Sequence, residues 1–157
     1  MKIGYFGIII RNGKILLVQP SEDGGYWALP GGGKNKKENA RAATLREIEE
    51  ETSLNATLGS LLGTFKRTDM QAKLVIYWVT KTRGKVKPDG KEIKRCRWFS
   101  LEEMWDRREN IKPYHFSSIF LALDKRRRSA KVPEEVKLNG LPTRKQWKRI
   151  IKALDQR

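Results

Sequence analysis

Three glutamates in one short segment have the residue type and the spacing to bind a metal ion. Glu47, Glu50 and Glu51 stand three and four residues apart, so a helix would place all three on one face. A hard divalent cation such as Mg²⁺ prefers carboxylate oxygens and often links them to substrate phosphates. The spacing therefore suits a magnesium site, although from spacing alone a solvated helix face is the simpler interpretation.

A glycine run just upstream of these glutamates favours the metal interpretation. Gly31–Gly33 would let backbone groups approach a metal or a phosphate closely. The chain around the glutamates is strongly basic, with 34 Lys+Arg, 18 Asp+Glu and a formal net charge of +16. One acidic pocket within a basic chain is the arrangement expected for a metal-bound polyphosphate.

The elements that must position these groups follow from the hydrophobic pattern. "IGYFGIII" and "KILLVQP" predict two strands, and Arg11-Asn12-Gly13 between them predicts a hairpin. From about Asn39 to Thr52 the chain is rich in helix-forming residues. Ala42, Leu45 and Ile48 recur at helical spacing, so we expect them to form an apolar face that points away from the carboxylates.

The second half of the chain predicts more strands, followed by helices. "ATLGSLLGTFKR", "AKLVIYWVT" and "EIKRCRWFS" are typical of strands, "SLEEMWDRR" and "PYHFSSIFLALDKRRR" of helices, and "SAKVPEEVKLNGLP" of a loop. A last helix follows the capping box of Thr143 and Gln146. We expect its apolar stripe from Trp147 to Leu154 to dock on the domain or on a second subunit. This order of elements indicates an α+β fold or a mixed α/β sandwich.

The composition indicates an intracellular protein. A length of 157 residues is usual for one domain, and the only cysteine, Cys96, cannot form an intramolecular disulfide. The apolar run Ile3–Ile10 is too short to span a membrane and lacks the cleavage site of a signal peptide. We therefore expect a cytoplasmic protein without a membrane segment, either a monomer or a homodimer.

The segment Gly32–Leu54 resembles the Nudix box, in which glycine, glutamate and arginine recur at fixed distances. The one departure is Ser53, where the family has a glycine that ends the helix, often with a positive φ. "WALPGG", "IIIRNGKILLVQ" and "RCRWFSLEEM" also resemble the family, and the resemblance covers about residues 3–125. The matching box positions are Gly32, Glu38, Arg46, Glu47, Ile48, Glu50, Glu51 and Leu54.

The resemblance implies an architecture. We expect an α+β fold resembling an α/β/α sandwich, with a mixed sheet, the box helix packed against it, and C-terminal helices. Residues 1–125 would form the Nudix hydrolase domain. Residues 126–157 would form a basic extension that ends in an amphipathic helix packed on the same domain, since residues 81–157 carry +13 of the net charge.

The resemblance also implies a chemistry. Nudix enzymes use a divalent metal and water to cleave a phosphoanhydride in a nucleoside diphosphate linked to another group. In this chain the ligands of Mg²⁺ or Mn²⁺ would be Glu47, Glu50, Glu51 and the backbone carbonyl of Gly32. Glu92 is a further candidate ligand or base.

The same box supplies the candidate catalytic residues. Arg46 would orient a box glutamate through a salt bridge, and Glu38 would be a supporting carboxylate. Either Glu50 or Glu51 would act as general base. The single histidine, His115, lies in a predicted helix, where we expect a packing or surface role.

The substrate is less well defined by the sequence. Within the family, the candidates are a (deoxy)nucleoside triphosphate or modified nucleotide, and the 5′ end of an RNA bound through the basic C-terminal region, as in a pyrophosphohydrolase or decapping enzyme. A non-catalytic nucleotide- or RNA-binding module is the third alternative. The candidate substrate-binding residues are Arg11, Lys14 and Lys34 for phosphates, and Tyr26, Trp27 and Phe65 for a base, with core packing as the alternative for each aromatic.

Overall fold

In the part of the chain that the structure describes, eight strands and four α-helices make up the fold. The computed structural model describes residues 2–69, 71–127 and 135–155. The strands are β1 (Lys2–Ile8), β2 (Ile10–Arg11), β3 (Lys14–Pro20), β4 (Gly31–Gly32), β5 (Asn55–Arg67), β6 (Ala72–Arg83), β7 (Ile93–Ser100) and β8 (Val136–Leu138). The helices are α1 (Ala40–Thr52), α2 (Leu101–Asp106), α3 (Pro113–Arg127) and α4 (Arg144–Asp155).

The strands form two sheets. The larger sheet has the order β4-β1-β6-β5-β8, in which β1 is parallel to β6 and antiparallel to β4. The smaller sheet has the order β2-β3-β7 and is antiparallel. The predicted hairpin joins β2 to β3, where Asn12 and Gly13 have φ angles of 51° and 72°. Both angles are positive, as a type I′ turn requires.

Both faces of the sheets are buried, which places them between two layers of helices. Along β3, Leu16 belongs to the apolar cluster under α1, whereas Ile15 and Leu17 belong to the cluster under the C-terminal helices. Neighbouring residues of a strand point to opposite faces, so this strand reads as a continuous apolar run. The arrangement confirms the predicted α+β sandwich with a mixed sheet.

The buried face of α1 differs from the predicted one. Ala42 is exposed, while Ala43 and Thr44 are fully buried beside Ile48. The apolar pattern missed this face because it contains hydroxyl groups that bond within the helix: the hydroxyl of Thr44 donates to the carbonyl of Ala40 at 2.8 Å. A satisfied hydroxyl can be buried at little cost.

The segment predicted as a loop after α3 contains a strand. Val136–Leu138 pairs in parallel with Phe65–Arg67 at the edge of the larger sheet. The prediction was wrong because three residues are too few for a hydrophobic pattern, and the strand depends on its neighbour. The start of the predicted loop, residues 129–134, lies outside the described residues, as does Arg128 at the end of the helix predicted before it.

The last helix packs on the helices before it. The Trp147 ring stacks on Phe116 with ring centres 4.3 Å apart, and its Nε1 donates to the carbonyl of Leu101 at 2.7 Å. The capping box at its start is present, because Thr143 and Gln146 bond each other's backbone N–H groups. The expected domain boundary after residue 125 falls in the last turn of α3, and the division itself stays a prediction. No described helix is long and apolar enough to cross a bilayer.

Candidate active site

Arg46 on α1 connects the acidic groups of the site. Its Nε donates to both carboxylate oxygens of Glu38, at 3.1 and 3.0 Å, and its Nη2 donates to Glu38 Oε1 at 2.7 Å. Its Nη1 donates to Glu47 and to Glu50, both at 3.1 Å. Its Nη2 also donates to the carbonyl of Gly33 at 3.0 Å. One guanidinium therefore holds the glycine run, the loop before α1 and two helix glutamates together.

The pair of Arg46 and Glu38 is charged on both sides. Hydrogen bonding from Arg46 lowers the pKa of Glu38, and the Glu38 carboxylate raises the pKa of Arg46 further above its ordinary value. Glu38 Oε1 also accepts from the backbone N–H of Asn35 at 2.8 Å, which closes the loop before α1. Glu38 thus positions Arg46, and Arg46 positions the two helix glutamates.

Glu47 lies directly against the glycine run. A Cβ atom on Gly32 would stand 2.7 Å from Glu47 Cδ and 2.8 Å from each carboxylate oxygen, so only glycine leaves room for this carboxylate. The Glu47 side chain is 14% exposed. Burial raises its pKa, the bond from Arg46 opposes that rise, and the charges of Glu50 and Glu92 add to it.

Glu51 is the most buried acidic group of the site. The residue is 8% exposed, and its Oε1 accepts from the backbone N–H of Gly31 at 2.7 Å. The pKa of Glu51 is raised to about 8, mainly by burial; the Gly31 bond opposes this rise, and the charges of Glu47, Glu92 and Asp89 contribute to it. The sequence did not indicate the role of the Gly31 N–H, because every residue except proline has a backbone N–H and the residue type does not show what it bonds.

Glu92 lies beside Glu51, at the end of a fixed loop before β7. Both residues line a cavity of about 340 Å³. The loop is held to the end of β3, because Ser21 donates through its N–H to the carbonyl of Glu92 and through its hydroxyl to the carbonyl of Lys91, both at 2.8 Å. Asp89 closes the turn by accepting from the Lys91 and Ile93 N–H groups. The sequence "RGKVKPDGK" predicts a polar turn at this place, and aspartate commonly bonds the backbone two residues ahead.

The donor chemistry of the site fits a hard divalent cation. Burial and the charges of neighbouring carboxylates raise the pKa values of Glu47 and Glu51. A bound cation would offset the cost of burying these two charges and the repulsion between them. Glu50 points to Arg46. Within the described residues, no three acidic, histidine or cysteine side chains already converge as a closed metal cluster.

Comparison with known proteins decides the family. Residues 1–120 match the NUDIX domain family. The chain belongs to the Nudix family. It is 33% identical over 97 residues to a provisionally named 8-oxo-dGTP diphosphatase of Bacillus subtilis (strain 168). This alignment covers 62% of the chain and 65% of that protein. It is 32% identical over 136 residues to human diphosphoinositol polyphosphate phosphohydrolase 3-beta, covering 85% of this chain and 74% of that protein.

A solved structure shows the same relationship. The MutT protein from Methanosarcina mazei Go1 superposes with a TM-score of 0.65 and 26% identity, covering 83% of this chain and 96% of that chain. The Nudix chain thus spans slightly less than two thirds of its Bacillus subtilis relative and nearly all of the Methanosarcina mazei fold. The family and the hydrolase names of these relatives confirm the prediction of a Nudix-type pyrophosphohydrolase.

Two of the aromatic residues predicted to bind a base are core residues of the Nudix domain. Phe65 is fully buried, and the Nζ of Lys125 lies 5.6 Å from the centre of its ring. Trp27 is 7% exposed and packs edge-on against Phe99, with ring centres 5.0 Å apart. The prediction of base stacking was wrong for both, because neither ring has a free face. Tyr26 is 43% exposed, so it stays a candidate.

The three cations predicted to bind phosphate lie in different surroundings, and each is exposed. Arg11 is exposed, donates to the hydroxyl of Thr82 at 2.8 Å and lies 5.1 Å from the centre of the Trp98 ring. Lys34 is exposed beside the Arg46 network, since its charge contributes to the lowered pKa of Glu38. Lys14 is exposed at the start of β3. Their contact with a substrate stays a prediction.

His115 holds the loop that leads into the Nudix box. Its Nδ1 accepts from the backbone N–H of Leu29 at 3.0 Å, and its ring packs edge-on against Phe6 at 4.7 Å. Burial lowers the pKa of His115 to about 3, helped by the charges of Lys112 and Arg67. The imidazole is therefore neutral and structural, in agreement with the packing role that we expected.

Proposed function

We propose that this protein hydrolyses a phosphoanhydride bond of a nucleoside 5′-triphosphate or modified nucleotide, with Mg²⁺ or Mn²⁺ as the metal. The observation that carries the proposal is the pair of largely buried carboxylates on the glycine run: Glu47 lies against Gly32 and bonds Arg46, and Glu51 accepts from the N–H of Gly31. The Bacillus subtilis relative is named for a modified nucleoside triphosphate and the human relative for a diphosphorylated inositol. Both names support a diphosphate as the group that is cleaved.

The residues that would hold the metal are Glu47, Glu50, Glu51 and the carbonyl of Gly32, with Glu92 beside them. A bound divalent cation neutralises phosphate oxygens and lowers the pKa of a water ligand. The chain supplies the positions of these donors. Arg46 fixes Glu47 and Glu50 on one side, and the Gly31 N–H fixes Glu51 on the other.

Two glutamates can accept the proton of the attacking water. The Glu50 side chain is 54% exposed and makes one ion pair, with Arg46, so it can turn toward a substrate. Glu51 is buried and bonded to Gly31, so its carboxylate is held in one place. Glu50 and Glu51 are the candidates for the general base, and substitution of each separates their roles.

A substrate panel with three glutamine variants tests the proposal. The purified protein is incubated with Mg²⁺ or Mn²⁺ and nucleoside triphosphates, oxidised nucleotides, diphosphate sugars, dinucleoside polyphosphates and diphosphoinositol polyphosphates, and products are separated by ion-exchange chromatography. Glu50→Gln and Glu51→Gln should each lose most of the turnover. Glu49→Gln is the matched control, because Glu49 is exposed on the same helix and lies off the carboxylate face. Turnover that survives both site substitutions would contradict the metal-carboxylate assignment.

An RNA 5′ end is the second candidate substrate. It is favoured by the solvent-facing side of α4, where Lys145, Lys148, Arg149 and Lys152 are all exposed while Trp147 faces the core. Such a row of cations suits an RNA backbone, and binding through it would weaken steeply with salt.

RNA carrying a 5′-triphosphate decides between these candidates. If RNA is the substrate, alanine at Lys145, Lys148 and Lys152 together should lower RNA turnover and reduce its salt dependence, while turnover of free nucleotides persists. If the variant affects neither, α4 serves only to cover the core. Tight RNA binding without hydrolysis of any substrate would favour the non-catalytic module.

A further inference from the structure

The loop that carries Glu92 is attached to the rest of the fold at both of its ends. It joins β6 to β7 over residues 84–92, and we call it the Glu92 loop. Near its start, the N–H of Lys87 donates to the carbonyl of Thr52, in the last turn of α1, at 2.8 Å. The carbonyl of Lys87 accepts from the Ser53 hydroxyl, also at 2.8 Å. The start of the loop is therefore fixed to the helix that carries the box glutamates.

The far end of the Glu92 loop is held by Ser21, the residue that follows β3. The paired part of β3 and β7 ends with Pro20 opposite Ile93. Beyond this pair, the Ser21 N–H donates to the carbonyl of Glu92 at 2.8 Å. The Ser21 hydroxyl donates to the carbonyl of Lys91, also at 2.8 Å. One residue thus bonds two successive carbonyls of the loop, and only one of these bonds depends on its side chain.

The turn between the two attachments has its own hydrogen bonds. Asp89 Oδ1 accepts from the N–H groups of Lys91 and Ile93, at 2.9 and 2.8 Å, and the Gly90 N–H donates to the carbonyl of Ile93 at 3.1 Å. Because these bonds join residues that are close in sequence, they fix the shape of the turn. They do not fix its position relative to β3. That position depends on the two bonds from Ser21.

Glu92 and Glu51 border the same space. Both line the cavity of about 340 Å³, and Ser21 lines it with them. The charge of Glu92 also contributes to the raised pKa values of Glu51 and Glu47. A shift of the Glu92 backbone would therefore change how this carboxylate stands relative to the other two.

We propose that Ser21 is a positioning residue, whose hydroxyl holds Glu92 beside Glu51 so that a divalent cation can bind there. The inference rests on the proposed function. Ser21 acts through the backbone of Lys91 and Glu92 and not by contact with the metal or the substrate. In a Ser21→Ala protein the N–H bond to Glu92 can persist, and water can bond the Lys91 carbonyl because this contact is exposed. The loop end then keeps its fold but loses one of its two attachments.

Binding of Mn²⁺ to the free protein tests the proposal, because it requires no substrate. Electron paramagnetic resonance measures the affinity. Ser21→Ala should weaken Mn²⁺ binding by about tenfold, since substitution of a group that orients a metal ligand typically costs about 10- to 100-fold. Ser21→Thr keeps a hydroxyl and should retain an affinity close to wild type. An unchanged affinity in the Ser21→Ala protein would overturn the proposal.

A double substitution shows whether Ser21 acts through Glu92. Glu92→Gln should itself weaken Mn²⁺ binding, and adding Ser21→Ala should then cause no further loss. Two losses that simply multiply would contradict the proposal, because independent sites behave additively in free energy.

Ser117→Ala is the matched control for the loss of a hydroxyl. The Ser117 hydroxyl also donates to the carbonyl of a loop residue, Gly140, at 3.0 Å, but this bond joins α3 to the loop before α4. Its Mn²⁺ affinity should equal that of the wild type. A loss as large as that of Ser21→Ala would show a general effect and contradict the assignment. Thermal unfolding of each variant shows that it is folded.

Steady-state kinetics separates positioning from direct contact with the substrate. Ser21→Ala should lower kcat by about tenfold at saturating substrate and leave KM unchanged, and added Mg²⁺ should recover part of the loss. A raised KM with wild-type Mn²⁺ affinity would show that the hydroxyl binds substrate, which contradicts positioning. No turnover of any substrate, with the Mn²⁺ coupling of Ser21 and Glu92 intact, would contradict the proposed function alone. Turnover without this coupling would contradict the role of Ser21 alone.

Discussion

At the residue scale, the site depends on the absence of a side chain at Gly32. The Glu47 carboxylate occupies the space where a side chain would begin, 2.7–2.8 Å from the place of a Cβ atom. The neighbouring Gly33 has open space, with nothing within 4 Å of the equivalent position. Of these two adjacent glycines, Gly32 is required for close packing against Glu47 and Gly33 is not.

Substitution by alanine should affect activity differently at Gly32 and at Gly33. Gly32→Ala should push the Glu47 carboxylate out of place and lower kcat/KM by about 100-fold, because ångström-scale misplacement of a catalytic group has effects of this size. Gly33→Ala should retain activity close to wild type. Steady-state hydrolysis of the substrate identified in the panel measures both. Equal activity of the two variants would show that Glu47 tolerates displacement.

Arg46 offers a second comparison at this scale. Arg46→Lys keeps the charge but removes the planar fork that contacts Glu38, Glu47 and Glu50 together, so kcat/KM should fall by about 10- to 100-fold. Arg41→Lys is the control on the same helix, since Arg41 donates to the β5 carbonyls of Leu58 and Gly59, away from the carboxylates. Its activity should remain near wild type. If both variants behave alike, the charge of residue 46 suffices without its geometry.

At the element scale, the end of α1 is the place where this chain departs from the family pattern. Ser53 has φ 67° and ψ 9°, the left-handed conformation in which the family has glycine. Its N–H donates to the carbonyl of Glu49 at 2.9 Å and its hydroxyl donates to the carbonyl of Lys87 at 2.8 Å. The helix therefore ends as the family pattern requires, and the serine hydroxyl ties it to the loop after β6.

The strain at Ser53 can be measured with two variants. Ser53→Gly and Ser53→Ala both lose the hydroxyl bond to Lys87, but only glycine relieves the positive φ. The glycine variant should therefore be more stable than the alanine variant by about 1 kcal/mol. Urea unfolding at equilibrium gives the difference. Equal stabilities would show that the helix end rearranges when the hydroxyl is removed.

At the scale of the whole molecule, His115 links the helical layer to the Nudix box. It lies on α3, in the cluster of buried helices, and its Nδ1 holds the Leu29 N–H just before the glycine run. Protonation of Nδ1 would break this bond and place a charge in the core. The stability of the fold should therefore depend on pH through this one ring.

The sign of this dependence follows from the two pKa values. His115 has an ordinary pKa of 6.5 and a pKa of about 3 in the folded protein. Between these values the unfolded chain binds a proton that the folded protein does not, so the free energy of unfolding falls as pH falls, by about 2 kcal/mol at pH 5.

A variant that cannot titrate isolates this contribution. His115→Asn keeps an acceptor near Leu29, so the loss of stability between pH 7 and pH 5 should be about 2 kcal/mol smaller than in the wild type. Urea unfolding at both pH values measures the difference. The same loss in both proteins would show that His115 does not control acid stability, since the carboxylates are common to both.

Patterns of local origin explain why much of the fold could be predicted. The Asn12-Gly13 turn, the α1 helix and the capping boxes of Ser100 with Glu103 and of Thr143 with Gln146 depend on neighbouring residues, whose chemistry the sequence displays directly. The strand at Val136–Leu138 was missed because it depends on pairing with a distant segment, and the buried face of α1 was missed because it includes the hydroxyl of Thr44, which bonds within the helix.

The sequence by itself determined the Nudix family and the spacing of Glu47, Glu50 and Glu51, because a helix converts fixed intervals into a shared face. Only the tertiary structure decided how these glutamates differ. Glu51 is buried against the Gly31 N–H and Glu50 stays exposed beside Arg46, since each environment is built by other strands and loops. Tertiary packing also assigned Phe65 and Trp27 to the core, because an aromatic residue type is compatible with both stacking and burial.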